Sequence, residues 1–300
     1  MIINKEKGYT SHDVVAKLRG ILHQKKIGHT GTLDPEATGV LPVCLGKGTK
    51  LCELLTDKEK TYRALCRLGI ETDTQDMTGQ ILQQHTVVVT KKEVEECVAS
   101  FLGEYAQIPP MYSALKKNGK KLYELAREGI TVEREPRKVF IREAKIIEWQ
   151  EEAHTFLLEV TCSKGTYIRT LCHDIGQKLG CGAAMEELVR TRVAAFTLEM
   201  ALSLSDVEAL TAEDRIGEVV IAIDDMFQEY GKRYVKEESC NRLYNGNPLY
   251  EEDFCKERDI PGIKAGTEVL VYDMQGRFIA IYERKEKDYK PLKMFYGKTE

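Results

Sequence analysis

The 300-residue chain has no C-x-x-C pair, no apolar run long enough to span a bilayer, no internal repeat and no low-complexity tract. Each absence excludes something. Nine cysteines lie scattered at Cys44, Cys52, Cys66, Cys97, Cys162, Cys172, Cys181, Cys240 and Cys255, an odd number without ligand spacing, so neither a disulfide framework nor a thiolate metal site is expected. They read as reduced thiols, several of them core residues, of a cytoplasmic protein. The opening MIINKEKGYTSHDVV lacks an apolar signal core, and no membrane partner is expected. The nearest approach to a phosphate loop, GVLPVCLGKGT, has six residues between its glycines and Gly48 where Ser or Thr belongs. Patterns for a zinc deaminase, a metalloprotease, an α/β-hydrolase and a dinucleotide site are missing too. The six histidines share no ligand spacing, so no metal and no cofactor is called for.

A positive net charge is also missing. The formal value is -4, yet the basic residues cluster in KLRGILHQKK (Lys17 to Lys26), KKNGKK (Lys116 to Lys121) and REPRKVFIR (Arg134 to Arg142), and acid collects in ETDTQD (Glu71 to Asp76) and EEDFCKERD (Glu251 to Asp259). Local basic surfaces of this kind can meet phosphate whatever the sum of charges.

Thr10 and Asp13 have capping-box spacing ahead of Val14, Val15, Leu18, Ile21 and Leu22, which predicts a helix over Ser11 to Gln24. GVLPVCLG predicts a strand, with Pro42 placing it at an edge or a bulge. TYRALCRLGI alternates strictly and is the clearest strand in the chain. Thr90 and Glu93 cap a second helix, QIPPMYSALKKNGKKLYELAREG reads as an exposed basic excursion ending in a helix, and two strands are expected near Val139 to Trp149 and His154 to Cys162. SKGTYIRTLCHDIGQKLG turns into a helix that ends near Gly180, and GTEVLVYDMQGRFIAIYER reads as a hairpin followed by a strand in YKPLKMFYG. Helices and strands interleave without a βαβ rhythm, so the fold class is α+β.

The stretch GHTGTLDPEATGVLP, Gly28 to Pro42, sets one aspartate between glycine-rich turns with Pro35 directly behind it. With nucleotides, metals and hydride carriers set aside, Asp34 could act as a nucleophile or as a general acid or base. A glycosidase would need a second placed carboxylate, and no partner of comparable quality is visible. Cleaving and remaking a base–sugar bond needs only one ionised carboxylate, kept charged by a cation; Arg169 in KGTYIRT is the candidate.

GHTGTLDPEATGVLP, KTYRALCRLG, QIPPMYSALKKNGKKLYELAREG, GTYIRTL and ELVRTRVAAF, in this order, resemble the tRNA pseudouridine synthase B family over Ile2 to Phe196. The resemblance implies the pseudouridine synthase fold, a mixed, mainly antiparallel central sheet with flanking helices, over residues 1–234, with a basic clamping insertion at about 107–138. A small β-rich PUA-like RNA-binding domain is implied over 235–300. It implies isomerisation of uridine 55 in the tRNA T-arm without cofactor. Asp34 would be the catalytic aspartate, Arg169 its partner, Tyr62 the aromatic stacking on the base and Tyr167 the second tyrosine. His29 would help to displace the uridine, and Leu188 would line the pocket. The GHTG form resembles stand-alone enzymes, so no guide RNA is expected, and the chain is expected to act as a monomer on tRNA. Glu6 follows Lys5 where the family commonly has proline, which bears on the stiffness of that turn. The alternative is a non-catalytic RNA-binding or tRNA-folding protein, for which Asp34 would be dispensable.

Overall fold

The computed structural model describes residues 1–255 and 263–297, so the acidic run that begins at Glu251 continues beyond the described residues after Cys255. The strands in chain order are β1 (Ile2–Lys5), β2 (Ile27–His29), β3 (Thr38–Leu45), β4 (Lys60–Leu68), β5 (Ile70–Thr72), β6 (Ile81–Gln84), β7 (Gly103–Gln107), β8 (Lys116–Lys117), β9 (Lys120–Lys121), β10 (Arg137–Gln150), β11 (Thr155–Cys162), β12 (Ala183–Val193), β13 (Phe196–Thr197), β14 (Gly231–Tyr234), β15 (Glu268–Tyr272), β16 (Phe278–Arg284) and β17 (Tyr289–Met294). The helices are α1 (Ser11–Ile21), α2 (Cys52–Thr56), α3 (Lys91–Ala99), α4 (Leu122–Arg127), α5 (Ile168–Leu179), α6 (Leu204–Ala212) and α7 (Cys240–Tyr244).

One large sheet runs β1-β3-β12-β4-β11-β10-β7, with β2 on β3 and β13 on β12. Every pairing is antiparallel except β3 with β12, which makes the fold α+β as the absent βαβ rhythm implied. β4 sits in the middle because Tyr62, Ala64, Cys66 and Leu68 all point into one buried face, against α3 and α5. α5 presents Ile168, Leu171, Cys172 and Ile175 to that face; at about 1.5 to 3 kcal/mol for each large apolar side chain, this layer supplies much of the core's stability. The close approach of helix and sheet needs Gly176, where a Cβ would lie 2.1 Å from the Ala183 nitrogen.

Three local readings differ from the sequence pattern. α1 has the predicted cap, with Thr10 N–H donating to Asp13 Oδ2 at 2.8 Å, but it stops at Ile21 because His23 takes a φ of +49° and turns the chain towards β2. β3 is an interior strand, not an edge. Its second flank passes from β12, paired at Thr38 and Gly39, to β2, paired from Val43, and Pro42 sits at the hand-over, where its carbonyl accepts from Thr30 N–H at 3.1 Å. β12 had no clear strand signature, because the buried Arg190 interrupts its apolar alternation.

A second sheet, β14-β15-β16-β17, holds the predicted C-terminal hairpin. It starts at Gly231, four residues ahead of the Val235 boundary read from the sequence. Val269 and Val271 face its own core, with Leu243, Phe254 and Tyr282, while Leu270, Tyr272, Ile281 and Phe295 join Ile2, Val40, Val193 and Phe196 of the large sheet. Lys47 and Lys50 add hydrogen bonds to the Gly297 and Met294 carbonyls at 2.8 and 2.6 Å. Among the described residues, no helix is long and apolar enough to cross a membrane.

Candidate active site

The loop after β2 is built to hold one side chain still. Ser11 Oγ, fully buried at the start of α1, accepts from Leu33 N–H at 2.9 Å. The Asp34 carbonyl accepts from Ala37 N–H at 3.1 Å, and the Pro35 carbonyl accepts from Gly8 N–H at 3.0 Å. Lys5, buried, places its ammonium on the carbonyls of Glu6, Tyr9 and Pro35 at 2.9, 2.6 and 2.9 Å. That ammonium closes the turn at Glu6 by hydrogen bonds, so stiffness there does not need a proline.

The Asp34 carboxylate emerges 43% exposed, with Oδ2 3.0 Å from Arg169 Nη2. Arg169, in the first turn of α5, is only 9% exposed and turns its other nitrogen, Nη1, to Asp76 Oδ2 at 3.4 Å. Nη2 also donates to the Tyr112 carbonyl at 3.0 Å. Asp76 is itself fixed, since its Oδ1 accepts from Thr78 N–H at 3.0 Å and from the hydroxyls of Thr74 and Thr78 at 2.8 and 2.5 Å. One guanidinium thus serves two carboxylates, an arrangement that holds its plane and keeps negative charge tolerable in a covered site.

Tyr167, the residue before α5, is pinned by Gln107, whose Oε1 accepts from its N–H at 2.8 Å and whose Nε2 donates to its carbonyl at 3.0 Å. Tyr62 and Leu188 come from the adjacent strands β4 and β12, opposite Arg190 and Ala64 respectively, and pack with Leu33 and Ala37 of the loop. Burial pushes the pKa of both tyrosine hydroxyls up, and the negative charge of Asp34 adds to this in each case. His29, at the end of β2, is half-buried with its ring edge-on to His12, centroids 5.3 Å apart. Burial, then the charges of His12 and Arg190, press its pKa below the ordinary 6.5, so the ring is neutral near pH 7. Beside it opens a groove of about 730 Å³ lined by His12, Arg19, Lys25, Lys26 and Cys52, the basic cluster of the N-terminal sequence.

The structure therefore brings Asp34, Arg169, Tyr62, Tyr167 and Leu188 towards one place and sets His29 at its basic rim. Among the described residues, His29 Nδ1, Thr30 Oγ1 and Arg169 Nε are buried here without a protein hydrogen-bond partner. Unsatisfied groups gathered in one region are what a polar substrate would satisfy. Asp76 went unread in the sequence, where ETDTQD showed only as an acidic cluster; its oxygens are spent on Arg169, Thr74 and Thr78, so it orients the guanidinium and is not the second carboxylate a glycosidase would need. Tyr112 and Ser113 belong to the basic excursion, which returns over the site and is held by Tyr123 N–H to the Ser113 carbonyl at 3.1 Å. Its β8–β9 hairpin leaves Lys116, Lys117 and Lys120 exposed. Among the described residues, no three His, Cys, Asp or Glu side chains are grouped to hold a metal.

Comparison with known proteins identifies the family. Residues 19–168 match the model described as TruB family pseudouridylate synthase, N-terminal domain, and residues 169–228 match the tRNA pseudouridylate synthase B C-terminal domain. The tRNA pseudouridine synthase B of Lachnoclostridium phytofermentans is 52% identical over 98% of this chain and 99% of that one. The protein of the same name from Bacillus anthracis is 42% identical over 100% of this chain and 98% of the relative. Among solved structures, an H/ACA RNP bound to a substrate RNA containing 2′-deoxyuridine superposes with a TM-score of 0.70 at 25% identity, covering 99% of this chain and 85% of the other. A Cbf5-Nop10-Gar1 complex gives 0.71 at 27%, covering 98% and 84%. Two family models over consecutive stretches and near full-length identity above 40% leave one assignment: the chain belongs to the tRNA pseudouridine synthase B family and is a tRNA-pseudouridylating isomerase.

Proposed function

We propose that the chain isomerises uridine 55 in the T-arm of tRNA, with Asp34 as the catalytic group. The observation that carries this reading is the 3.0 Å pairing of a covered Arg169 with a part-exposed Asp34, whose loop is held by Ser11, Lys5 and backbone hydrogen bonds. The uridine leaves its stack at a cost of a few kcal/mol, and an aromatic platform such as Tyr62 returns about 1 to 3 kcal/mol per base. His29 enters the space the base vacates, from the rim of the basic groove. Leu188 and Tyr167 enclose the base, and Arg169 holds the Asp34 carboxylate in place when RNA covers it.

The N1–C1′ bond breaks, the freed uracil turns, C5 bonds to C1′, and the C5 proton passes to solvent while N1 gains one. No electrons are exchanged. Attack on C1′ and removal of the 2′ proton both require the same thing of Asp34, an ionised oxygen held beside the ribose.

Residues 107–138 act in this reading as a clamp over the T-arm, supported by the contacts of Tyr112 and Ser113 at the site and by the exposed lysines of the hairpin. The C-terminal sheet unit serves as a small PUA-like RNA-binding domain. The enzyme works as a monomer, a reading supported by the occurrence of all six site residues in one chain, and without a guide RNA, a reading supported by the GHTG form of the loop before Asp34. Release of tritium from C5-labelled uridine in an unmodified tRNA transcript, with no other RNA or protein added, tests it: one tritium per tRNA is expected, lost when uridine 55 is replaced by cytidine. Equal release from that replaced transcript would reject the site.

A further inference from the structure

Arg190 takes no part in the chemistry proposed above, yet it lies directly behind the Asp34 loop. The parallel pair β3 and β12 meet only at Thr38 with Val189 and Gly39 with Arg190. A Cβ on Gly39 would sit 2.2 Å from the Arg190 carbonyl oxygen, and Gly39 has a φ of +105°, so only glycine lets the two strands close there. That approach carries the guanidinium under the loop. Its Nε donates to the Val40 carbonyl at 2.7 Å and its Nη2 to the Gly31 carbonyl at 3.1 Å. One planar fork therefore ties down the chain on both sides of Asp34.

The arrangement is costly. Arg190 is fully buried, and among the described residues it forms no ion pair. A buried cation without an anion is expensive, and an apolar side chain of similar length would fill the space at lower cost. The sheet does not need it for assembly, because β12 is already paired with β4 from Ala183 to Val193. It is not a phosphate site either, since the neighbouring Lys5 and Lys60 ammoniums are spent on backbone carbonyls. What the fork does is fix Gly31 and Val40 against β12, the strand whose Arg190 stands opposite Tyr62.

We propose that Arg190 is a positioning residue that sets the Asp34 loop against the base-stacking Tyr62, an inference that rests on Asp34 being the reactive group. Lysine is a poor replacement: an ammonium can gather neighbouring carbonyls, as Lys5 does, but it lacks the fixed spacing of Nε and Nη2 that meets the Val40 and Gly31 carbonyls at once. The test compares the full-length wild type with Arg190→Met and Arg190→Lys for single-turnover isomerisation, affinity for a T-arm hairpin, and amide hydrogen exchange. In both variants the rate is expected to fall about 100-fold, the scale of a 1 Å misplacement of reacting groups, with hairpin affinity within about threefold of wild type. Amides of residues 30–37 should exchange faster while β4 and β11 keep their protection. Should Arg190→Met fail to fold, Arg190→Lys alone decides. A rate within about threefold of wild type in a folded variant, an equal loss of rate and affinity, or a loss of protection spread over the whole sheet would each overturn the proposal. A wild type inactive on uridine 55 would instead strike the substrate reading, since the exchange of residues 30–37 in the variants reports on the loop independently.

Discussion

Replacing Arg169 with methionine keeps the bulk of the stem and removes the cation shared by Asp34 and Asp76. Breaking a buried pair by removing one partner costs about 3 to 5 kcal/mol, but this site sits below that range. Asp34 is 43% exposed and can turn to water, and Asp76 keeps its bonds to Thr74 and Thr78, so a loss of about 2 to 3 kcal/mol is expected. That corresponds to a fall in melting temperature of roughly 3 to 5 °C for a chain of 300 residues. The effect on rate should be larger. A preorganised charged donor is worth about 100- to 1,000-fold in turnover, and without it the Asp34 carboxylate loses the group that fixes its orientation. Nη1 and Nη2 of Arg169 are spent on protein oxygens and only Nε is left to meet RNA, so hairpin affinity should fall by at most about tenfold, the worth of one hydrogen bond. Single-turnover tritium release and titration of a labelled T-arm hairpin separate the two effects. A folded Arg169→Met enzyme with a near wild-type rate would refute the claim that the ion pair sustains Asp34, and a matching loss of rate and affinity would make Arg169 an RNA contact.

Asp76→Asn should have a milder effect, about 10-fold to 100-fold in rate, because Arg169 keeps Asp34 and the Tyr112 carbonyl; a rate unchanged within about twofold would show that Asp76 does not orient the guanidinium. Ser11→Ala leaves the buried Leu33 N–H without its acceptor and should cost about 1 to 3 kcal/mol in urea unfolding, with no loss disproving the role of this contact in holding the loop. Burial lowers the pKa of His29, so the unfolded chain takes up its proton first as pH falls. The contribution of this group to stability is intact above pH 6.5 and drains away as pH drops towards the folded value, by at most about 1.4 kcal/mol per pH unit. His29→Gln should therefore lose less stability than wild type between pH 7.5 and 5.5, and parallel losses would contradict that account. Changing Lys116, Lys117 and Lys120 together to alanine should flatten the salt dependence of hairpin binding by up to about 0.7 to 0.9 in log–log slope per lysine that meets a phosphate, whereas an unchanged slope would place RNA elsewhere.

Legibility in the sequence followed the range of the interactions. Capping boxes at Thr10 and Thr90, the alternation of β4 and the glycine after α5 are local rules, and each of them located its element. Asp34 and Arg169 were legible as a pair because chemistry demanded a cation for a lone carboxylate, and the structure sets them 3.0 Å apart. Asp76 was not, because its role comes from Arg169, 93 residues away, which no spacing rule records. β12 was hidden for a related reason: the buried Arg190 breaks its apolar pattern, and the carbonyls that satisfy its guanidinium, those of Gly31 and Val40, lie some 150 residues away in the chain. Pro42 was misjudged because the partner of β3 changes along its length, a property of the sheet and not of the strand.

The most direct measurement is the conversion of uridine 55 to pseudouridine by Asp34→Asn, read by mass spectrometry of a tRNA transcript after incubation with a folded, hairpin-binding variant. No conversion above the enzyme-free level is the predicted result, with affinity retained. Conversion at the wild-type rate would place the catalytic group elsewhere and contradict the account.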